Sequence, residues 1–401
     1  MITIDRRSFL RQGLMASLVA GLGGWTKSTL PSFNVPANEE DFWADLRAMF
    51  SLSSEIINLN NGAVSPQPYP VQEAYMRNYR YSNKGPSYYM WRKLDEQREP
   101  LRKRFADFCG VSPEEIAFNR NTTEGLNTII LGLDLKPGDV VVLSSFDYPN
   151  MMNAWKQRVA RDSIRLEWVD LRLPEEDSEL LAEKFISRIS PRTRVVHLTH
   201  MMNWTGQVLP VSRIAKAAKE KGCEVIVDAS HSFAHLDFKI SDLHCDYLAA
   251  SGHKWLCAPF GTGFMYIRKE LIGKIWPLLS APDPRSDNIR KFEHLGTRSF
   301  AAEMAMGAAL DFHLTIGNER KMRRLRALKN YWMQNISSLP GIKLLTSFKD
   351  EMSGGIGAFE VIGKRAEDVA AYATIQHSLY HSNPQWAEIV PHHSTYIYFF
   401  Q

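Results

Sequence analysis

The stretch DYLAASGHKWLCAPFGTGFMYIRKE, residues 246–270, places Lys254 between a short apolar run and a loop rich in glycine and proline. Such a loop is tightly constrained, because proline fixes its backbone angle and glycine allows sharp turns. A lysine held there is not free to extend into water as surface lysines are. Lys254 is therefore either an ordinary solvated lysine at a strand end or an amine held in place for chemistry.

Apolar runs with helical patterns between them predict buried parallel strands in this part of the chain. The runs are residues 139–145, 194–200, 224–230 and 246–251. The segment VSRIAKAAKEKG at 211–222 predicts an intervening helix, since it ends on glycine as helices commonly do. Strands that alternate with helices predict an α/β fold with a doubly wound, mostly parallel sheet.

Polar and aromatic side chains follow these strands where each strand ends. Ligands of doubly wound sheets bind at this carboxyl edge, so we expect these side chains to converge. An aspartate that emerges from a buried strand is costly unless it meets a positive partner. The residues at the edge are Tyr148, Asn203, Asp228, His231, Ser251, His253 and Lys254.

This set of residues suits pyridoxal phosphate. The cofactor needs a lysine for a Schiff base and an acid beside its ring nitrogen, which Lys254 and Asp228 supply. Its phosphate needs N–H groups at a helix start and hydroxyls. The segment NRNTTEGLNTIILGL at 119–133 provides both, with Thr122 and Thr123 as the expected helix caps. Taken singly, such a pair is an ordinary cap; in this chain order the elements indicate one site.

The chain resembles the class V aminotransferases, which belong to the fold-type I pyridoxal-phosphate enzymes. The resemblance rests on INLNNGAVSPQP (57–68), NTTEGLN (121–127), the long stretch 227–269 and FEHLGTRSF (292–300). It implies a mostly parallel seven-stranded sheet in a large domain, 38–310, followed by a smaller α+β domain, 311–401. The segments HMMNWTGQVLPV, DYPN and EHLGTR are similar to the isopenicillin N epimerase-like branch.

The resemblance also implies a role for each residue of the site. Lys254 forms the Schiff base and moves the substrate's α-proton, while Asp228 pairs with the pyridine nitrogen. Tyr148 stacks on the ring, and His231 stands where the family often has a glutamine near the 3′-oxygen. Contacts to the phosphate come from Thr122, Thr123, Ser251, His253 and, from the neighbouring subunit of a homodimer, Thr297. Contacts to the substrate come from Asn61, Asn203 and Arg298.

The reaction implied is one on an amino acid, through an external aldimine and loss of the α-proton. Racemisation, transamination and β-elimination all share this step, so the sequence leaves epimerase, aminotransferase and C–S or β-lyase open. Cysteine desulfurase is disfavoured, because its mobile nucleophilic cysteine belongs in a late loop and this sequence has no cysteine after Cys257.

The last segment, TIQHSLYHSNPQWAEIVPHHSTYIYFFQ (374–401), does not resemble the end of the family. Family members carry there an arginine that binds the substrate carboxylate, for which Arg298 is the candidate substitute. Either the tail is divergent, or the carboxyl end is altered and the protein binds pyridoxal phosphate with decayed or absent catalysis.

Composition excludes several other classes of function. The net charge of +4 is spread along the chain, without the dense basic block of a nucleic-acid-binding protein. The most basic segment, ERKMRRLRALKN (319–330), predicts the solvent-exposed face of an amphipathic helix. The four cysteines lack the close pairing of a zinc site, so we expect free thiols and no metal centre.

The first residues, 1–37, have the layout of a twin-arginine signal peptide and linker. Arg6 and Arg7 precede an apolar run, Leu14 to Leu22, which is too short to span a bilayer. Small residues ending at Ala37 offer a cleavage site. We therefore expect an exported, periplasmic protein with no stable membrane anchor, folded around its cofactor before export.

Overall fold

The computed structural model describes residues 39–377, 379–380 and 397–400. The twin-arginine segment and most of the unusual tail lie outside these residues. Helix α1 (Glu39–Ala48) belongs to a separate unit, and the second unit begins at Ser51. None of the helices in the described ranges is long and apolar enough to cross a membrane.

The second unit is organised around a sheet of seven strands. Its order is β2-β8-β7-β6-β5-β3-β4, with β8 antiparallel to both neighbours and the other pairings parallel. These strands are β2 (Ile116–Asn119), β3 (Val140–Ser144), β4 (Arg165–Val169), β5 (Thr193–Thr199), β6 (Glu224–Asp228), β7 (Tyr247–Ser251) and β8 (Gly263–Ile267). The predicted α/β fold with a mostly parallel seven-stranded sheet is confirmed.

Both faces of this sheet are buried, which explains why its strands read as continuous apolar runs. Successive residues point to opposite faces of a strand. Accordingly Val225 and Val227 join one hydrophobic cluster and Ile226 joins the other. Helices pack against both faces. The helices of this part of the chain are α2 (Tyr69–Ser82), α3 (Pro86–Tyr89), α4 (Arg98–Cys109), α5 (Thr122–Gly132), α6 (Pro149–Asp162), α7 (Ser178–Ile186), α8 (Val211–Glu220) and α9 (Phe300–Ile316).

The remaining elements form a smaller α+β arrangement. An antiparallel sheet has the order β12-β10-β9, and a two-residue parallel pair joins β1 to β11. The bounds are β1 (Ile57–Asn58), α10 (Asn318–Ser337), β9 (Ile342–Leu344), β10 (Ile356–Val361), α11 (Ala366–His377), β11 (Leu379–Tyr380) and β12 (Ile397–Phe400). The domain boundary near residue 310 stays a prediction.

Helix α10 corrects part of the interpretation of the basic segment 319–330 as a solvent-exposed face, since Glu319 and Arg323 are exposed but other charged residues are not. Lys329 is 1% exposed, and its Nζ donates to the carbonyl of Ser347 at 2.8 Å and to Oγ of Ser353 at 2.6 Å. Lys321 donates to the carbonyl of Trp255, and Arg326 to that of Ser353. These three cations therefore donate hydrogen bonds to backbone carbonyls of the protein instead of extending into solvent.

Candidate functional site

The sheet brings the predicted polar residues to one edge. Asp228 and Ser251 are the last residues of neighbouring strands β6 and β7, and Thr199 ends β5 on the other side of β6. Because these strands are parallel, their carboxyl ends meet, as expected for a ligand site in a doubly wound sheet. Lys254 lies in the turn that follows β7.

The Lys254 side chain is half-buried, and its amine faces a histidine. Its Nζ lies 2.9 Å from Nε2 of His231. Burial lowers the pKa of the lysine from 10.5 to about 8, and the carboxylate of Asp228 acts in the opposite direction. Desolvation disfavours the charged form of an amine, so much more of this lysine is neutral near pH 7 than of a surface lysine. The ordinary solvated lysine is excluded.

Asp228 is a buried carboxylate at 3% exposure. Its Oδ1 accepts a hydrogen bond from the N–H of Ser230 at 2.8 Å. Burial raises its pKa, while the Ser230 hydrogen bond and the Lys254 charge lower it. A buried carboxylate is expensive without a positive partner, and a protonated ring nitrogen would supply one.

The start of α5 forms a cradle that resembles an anion site. The N–H of Thr122 donates to Oγ of Ser251 at 2.9 Å, and the two hydroxyls are 2.8 Å apart. The helix cap is Asn121, whose Oδ1 accepts from the N–H of Glu124 at 2.9 Å. The expectation that Thr122 and Thr123 cap this helix is therefore wrong, because both lie inside its first turn. Their N–H groups are at the positive end of the helix dipole.

A glycine lets α5 approach the sheet at this point. A Cβ on Gly125 would lie 2.6 Å from Nδ2 of Asn119 and 2.8 Å from Cβ of Ala249 on β7. Contacts this short force neighbours to shift, so only glycine keeps the helix start beside the strand that carries Ser251. The NTTEGLN segment therefore needs its glycine for close packing, in addition to the threonines that suit an anion site.

Two polar atoms of the site have no hydrogen-bond partner among the described residues. They are Nδ1 of His253 and Oδ1 of Asn203, both buried atoms. Burial, together with the charge of Lys254, lowers the pKa of His253 to about 4, so its ring is neutral. The backbone of His253 is fixed, since its carbonyl accepts from the N–H of Ser65 at 2.9 Å. Buried polar atoms are normally paired, so these two indicate a ligand.

Asp147 belongs to the site, although sequence analysis assigned it no role. Its Oδ2 accepts from the N–H of Ser144 at 2.8 Å and its Oδ1 from Oγ1 of Thr199 at 2.6 Å. Burial raises its pKa to about 7, and the negative charge of Asp228 contributes. These bonds fix the turn that presents Tyr148, whose own pKa is raised by burial and by Asp228. The DYPN motif is the sequence feature that could have indicated this role of Asp147.

The predicted substrate residues Asn61 and Arg298 have partners within the chain. Asn61 donates to the carbonyl of Asn58 at 3.1 Å and accepts from the side chain of the same residue at 2.7 Å. Nε of Arg298 donates to Glu303 at 3.1 Å, and its guanidinium lies 4.4 Å from the ring centre of Phe300. Thr297 is exposed. No contact between these three residues and Lys254 is seen in the described structure.

The residues present fit pyridoxal phosphate. Lys254 offers an amine whose pKa is lowered to about 8, and Asp228 offers a buried carboxylate without a cation in hydrogen-bond contact in the described structure. The helix start beside Ser251 offers N–H groups and hydroxyls to a phosphate. Unpaired atoms of His253 and Asn203 are left for the remaining contacts. Asp228, His231, Ser251 and Lys254 thus lie together, and the roles assigned to them stay predictions.

Comparison with known proteins places the chain in a family. The aminotransferase class-V family matches residues 57–378. An isopenicillin N epimerase of Amycolatopsis lactamdurans is 30% identical over 342 residues, which are 80% of this chain and 84% of the relative. A probable cysteine desulfurase of Synechocystis sp. is 30% identical over 352 residues, 82% of each chain.

A solved structure agrees with this assignment. The apo cysteine desulfurase of Thermococcus onnurineus NA1 has a TM-score of 0.77 and 27% identity, covering 89% of this chain and 92% of that one. The chain belongs to the aminotransferase class-V family and has the fold of the fold-type I pyridoxal-phosphate enzymes. Pyridoxal 5′-phosphate is the cofactor that this family indicates for the site.

Proposed function

We propose that this protein uses pyridoxal phosphate on Lys254 to act on an amino acid by moving the proton of its α-carbon, as an isopenicillin N epimerase-like enzyme. The observation that carries this proposal is that the half-buried Lys254 and the buried Asp228 lie together at one edge of the sheet. The amine has its pKa lowered to about 8, so it can both give and take a proton near neutral pH.

The bound cofactor supplies an electron sink that stabilises negative charge on the substrate's α-carbon. Asp228 holds a proton on the ring nitrogen through its carboxylate. Lys254 removes the proton from the α-carbon or returns it.

The phosphate is held by the start of α5. Thr122, Thr123 and Ser251 supply N–H groups and hydroxyls, and His253 supplies a neutral ring. The family resemblance adds Thr297 from a second copy of the chain, so we propose a homodimer. The exposure of Thr297 supports this, since a residue that reaches a neighbouring subunit must be at the surface.

Sulfur transfer through a protein thiol is a poorer fit to the cysteines of this chain. A thiolate is the nucleophile in such chemistry. Burial raises the pKa of Cys109 and of Cys245 to about 12 each, and also raises the pKa of Cys223 and Cys257. Neutral thiols of this kind favour epimerisation or transamination over desulfurase chemistry.

The test is a substrate panel in D2O with the full chain carrying its cofactor. NMR scores loss of the α-proton, formation of keto acid and racemised product for each amino acid. We expect α-deuterium in at least one amino acid with wild type and none with Lys254→Ala. Lys136→Ala is the matched control, since Lys136 is an exposed lysine that pairs with Asp134.

Other results of this panel would overturn the proposal. Loaded wild type that exchanges no α-proton would identify a pyridoxal-phosphate-binding protein without catalysis. Release of ammonia with loss of a β-substituent would identify a lyase of the same fold.

A further inference from the structure

Two buried histidines lie four residues apart, and the first of them contacts Lys254. His231 is 6% exposed and His235 is fully buried. They belong to the turn that follows β6, where the N–H of His235 donates to the carbonyl of Ser232. Burial lowers the pKa of both rings well below the ordinary value. Each ring is therefore neutral and carries one N–H, and its hydrogen-bond partners decide which nitrogen bears it.

The partners of His235 fix one tautomer. Its Nε2 accepts a hydrogen bond from the backbone N–H of Gly355 at 2.7 Å, so this nitrogen carries no hydrogen. The hydrogen is then on Nδ1, which donates to the carbonyl of His231 at 2.9 Å. This bond holds the backbone of His231, and the bond from Gly355 links His235 to the start of β10.

The partners of His231 fix the opposite tautomer. Trp255 lies 3.4 Å away, with its Nε1 directed at Nδ1 of His231. An indole N–H donates and never accepts, so Nδ1 is an acceptor. The hydrogen of His231 is then on Nε2, the nitrogen that lies 2.9 Å from Nζ of Lys254. A hydrogen bond between these atoms requires a lone pair on the lysine, which only the uncharged amine has.

We propose that Trp255 is a positioning residue that fixes His231 in its Nε2–H form, so that His231 donates a hydrogen bond to the uncharged amine of Lys254. The importance of Lys254 rests on the proposed function, whereas the tautomer of His231 does not. Trp255 is itself held in place. It is 4% exposed, its carbonyl accepts from Lys321, and its ring centre is 3.8 Å from that of His235.

The charge on Lys254 follows from this arrangement. An ammonium group would place its own N–H against the N–H of His231, and two donors repel each other. Among the described residues, the other titratable groups that interact with Lys254 are Asp228, which favours the ammonium, and His253, which is neutral. The contact from His231 therefore adds to burial in favouring the uncharged form of the amine, which is the form that attacks an aldehyde.

The decisive experiment is NMR of the full chain, freed of cofactor and labelled with ¹⁵N-histidine. The His231→Gln spectrum assigns the His231 signals. We expect a protonated Nε2 and a bare Nδ1 in wild type, and in Trp255→Phe a shift of both ¹⁵N signals toward the Nδ1–H form. Trp155→Phe is the control, because Trp155 is also fully buried but its Nε1 has no partner among the described residues. We expect that variant to leave the His231 signals unchanged.

A second measurement determines the midpoint pH at which Lys254 captures pyridoxal phosphate. In Trp255→Phe, His231 is free to accept from the ammonium, so the midpoint pH for capture of pyridoxal phosphate by Lys254 should rise. A wild-type His231 in the Nδ1–H form would overturn the proposal, even if the variant failed to fold. So would identical spectra and midpoints for wild type and Trp255→Phe. Neither result depends on turnover of an amino acid, so failure of the proposed function is seen separately, in the substrate panel.

Discussion

The pH dependence of Lys254 reactivity is a direct consequence of its burial. The neutral amine is the form that attacks the cofactor's aldehyde. Burial lowers the pKa of this amine from 10.5 to about 8, so its neutral fraction rises with pH and is nearly complete above pH 9 or so. We expect the rate of cofactor capture to rise about tenfold per pH unit below pH 8 and to level off above it.

The size of the effect follows from the two pKa values. At pH 7 an amine of pKa about 8 is neutral in about 9% of molecules, whereas a lysine of pKa 10.5 is neutral in about 0.03%. The ratio is about 300 in favour of Lys254, at equal intrinsic reactivity. Replacing Asp228 with asparagine removes the charge that favours the ammonium, so the plateau should begin at a lower pH in that variant.

Stopped-flow absorbance of cofactor-free protein mixed with pyridoxal phosphate, between pH 6 and 10, measures this profile. The control is the same reaction with N-acetyl-lysine amide, whose rate should keep rising to the highest pH and which also reports ionisation of the cofactor itself. A protein profile that runs parallel to this free amine would refute the reasoning, because it would mean that burial does not shift Lys254.

The other predictions concern the ring nitrogen, the helix start and export. Asp228→Asn should slow α-deuterium exchange by a factor of about 100 to 1,000, since one well-placed electrostatic contact is lost, and unchanged exchange by NMR would contradict this role. Asn121→Ala should lower the free energy of unfolding by about 1 kcal/mol through loss of the α5 cap, measured by urea titration. Changing Arg6 and Arg7 to lysine should leave the precursor in the cytoplasm, and an unchanged periplasmic yield would rule out the twin-arginine route.

The strands were predictable because a parallel sheet buries both faces. Residues 224–230 and 246–251 are apolar throughout their central positions, and they became β6 and β7 with Asp228 and Ser251 at their ends. Strand β4, with the sequence RLEWV, was not predicted, because it lies at the sheet edge and is half exposed. An apolar run in the sequence indicates a buried strand, so a half-exposed edge strand such as β4 gives a weaker signal.

Tertiary partners account for most of what the sequence did not reveal. Lys329 looks like a surface residue in a basic segment, and only the fold shows Ser347 and Ser353 beside its amine. The cap at Asn121 was open to prediction, since asparagine is as good a cap as threonine, but the choice depended on where the first helical turn begins. His231 and Trp255 are 24 positions apart, and no periodic pattern in the sequence predicts their contact.

The central claim is that Lys254 carries the cofactor, and borohydride reduction followed by peptide mass spectrometry tests it most directly. The reagent fixes pyridoxal phosphate as a stable adduct on whichever amine holds it. We predict one pyridoxyl adduct, on the peptide that contains Lys254, and its loss in Lys254→Ala. An adduct on another lysine, or none on protein incubated with the cofactor, would contradict the account.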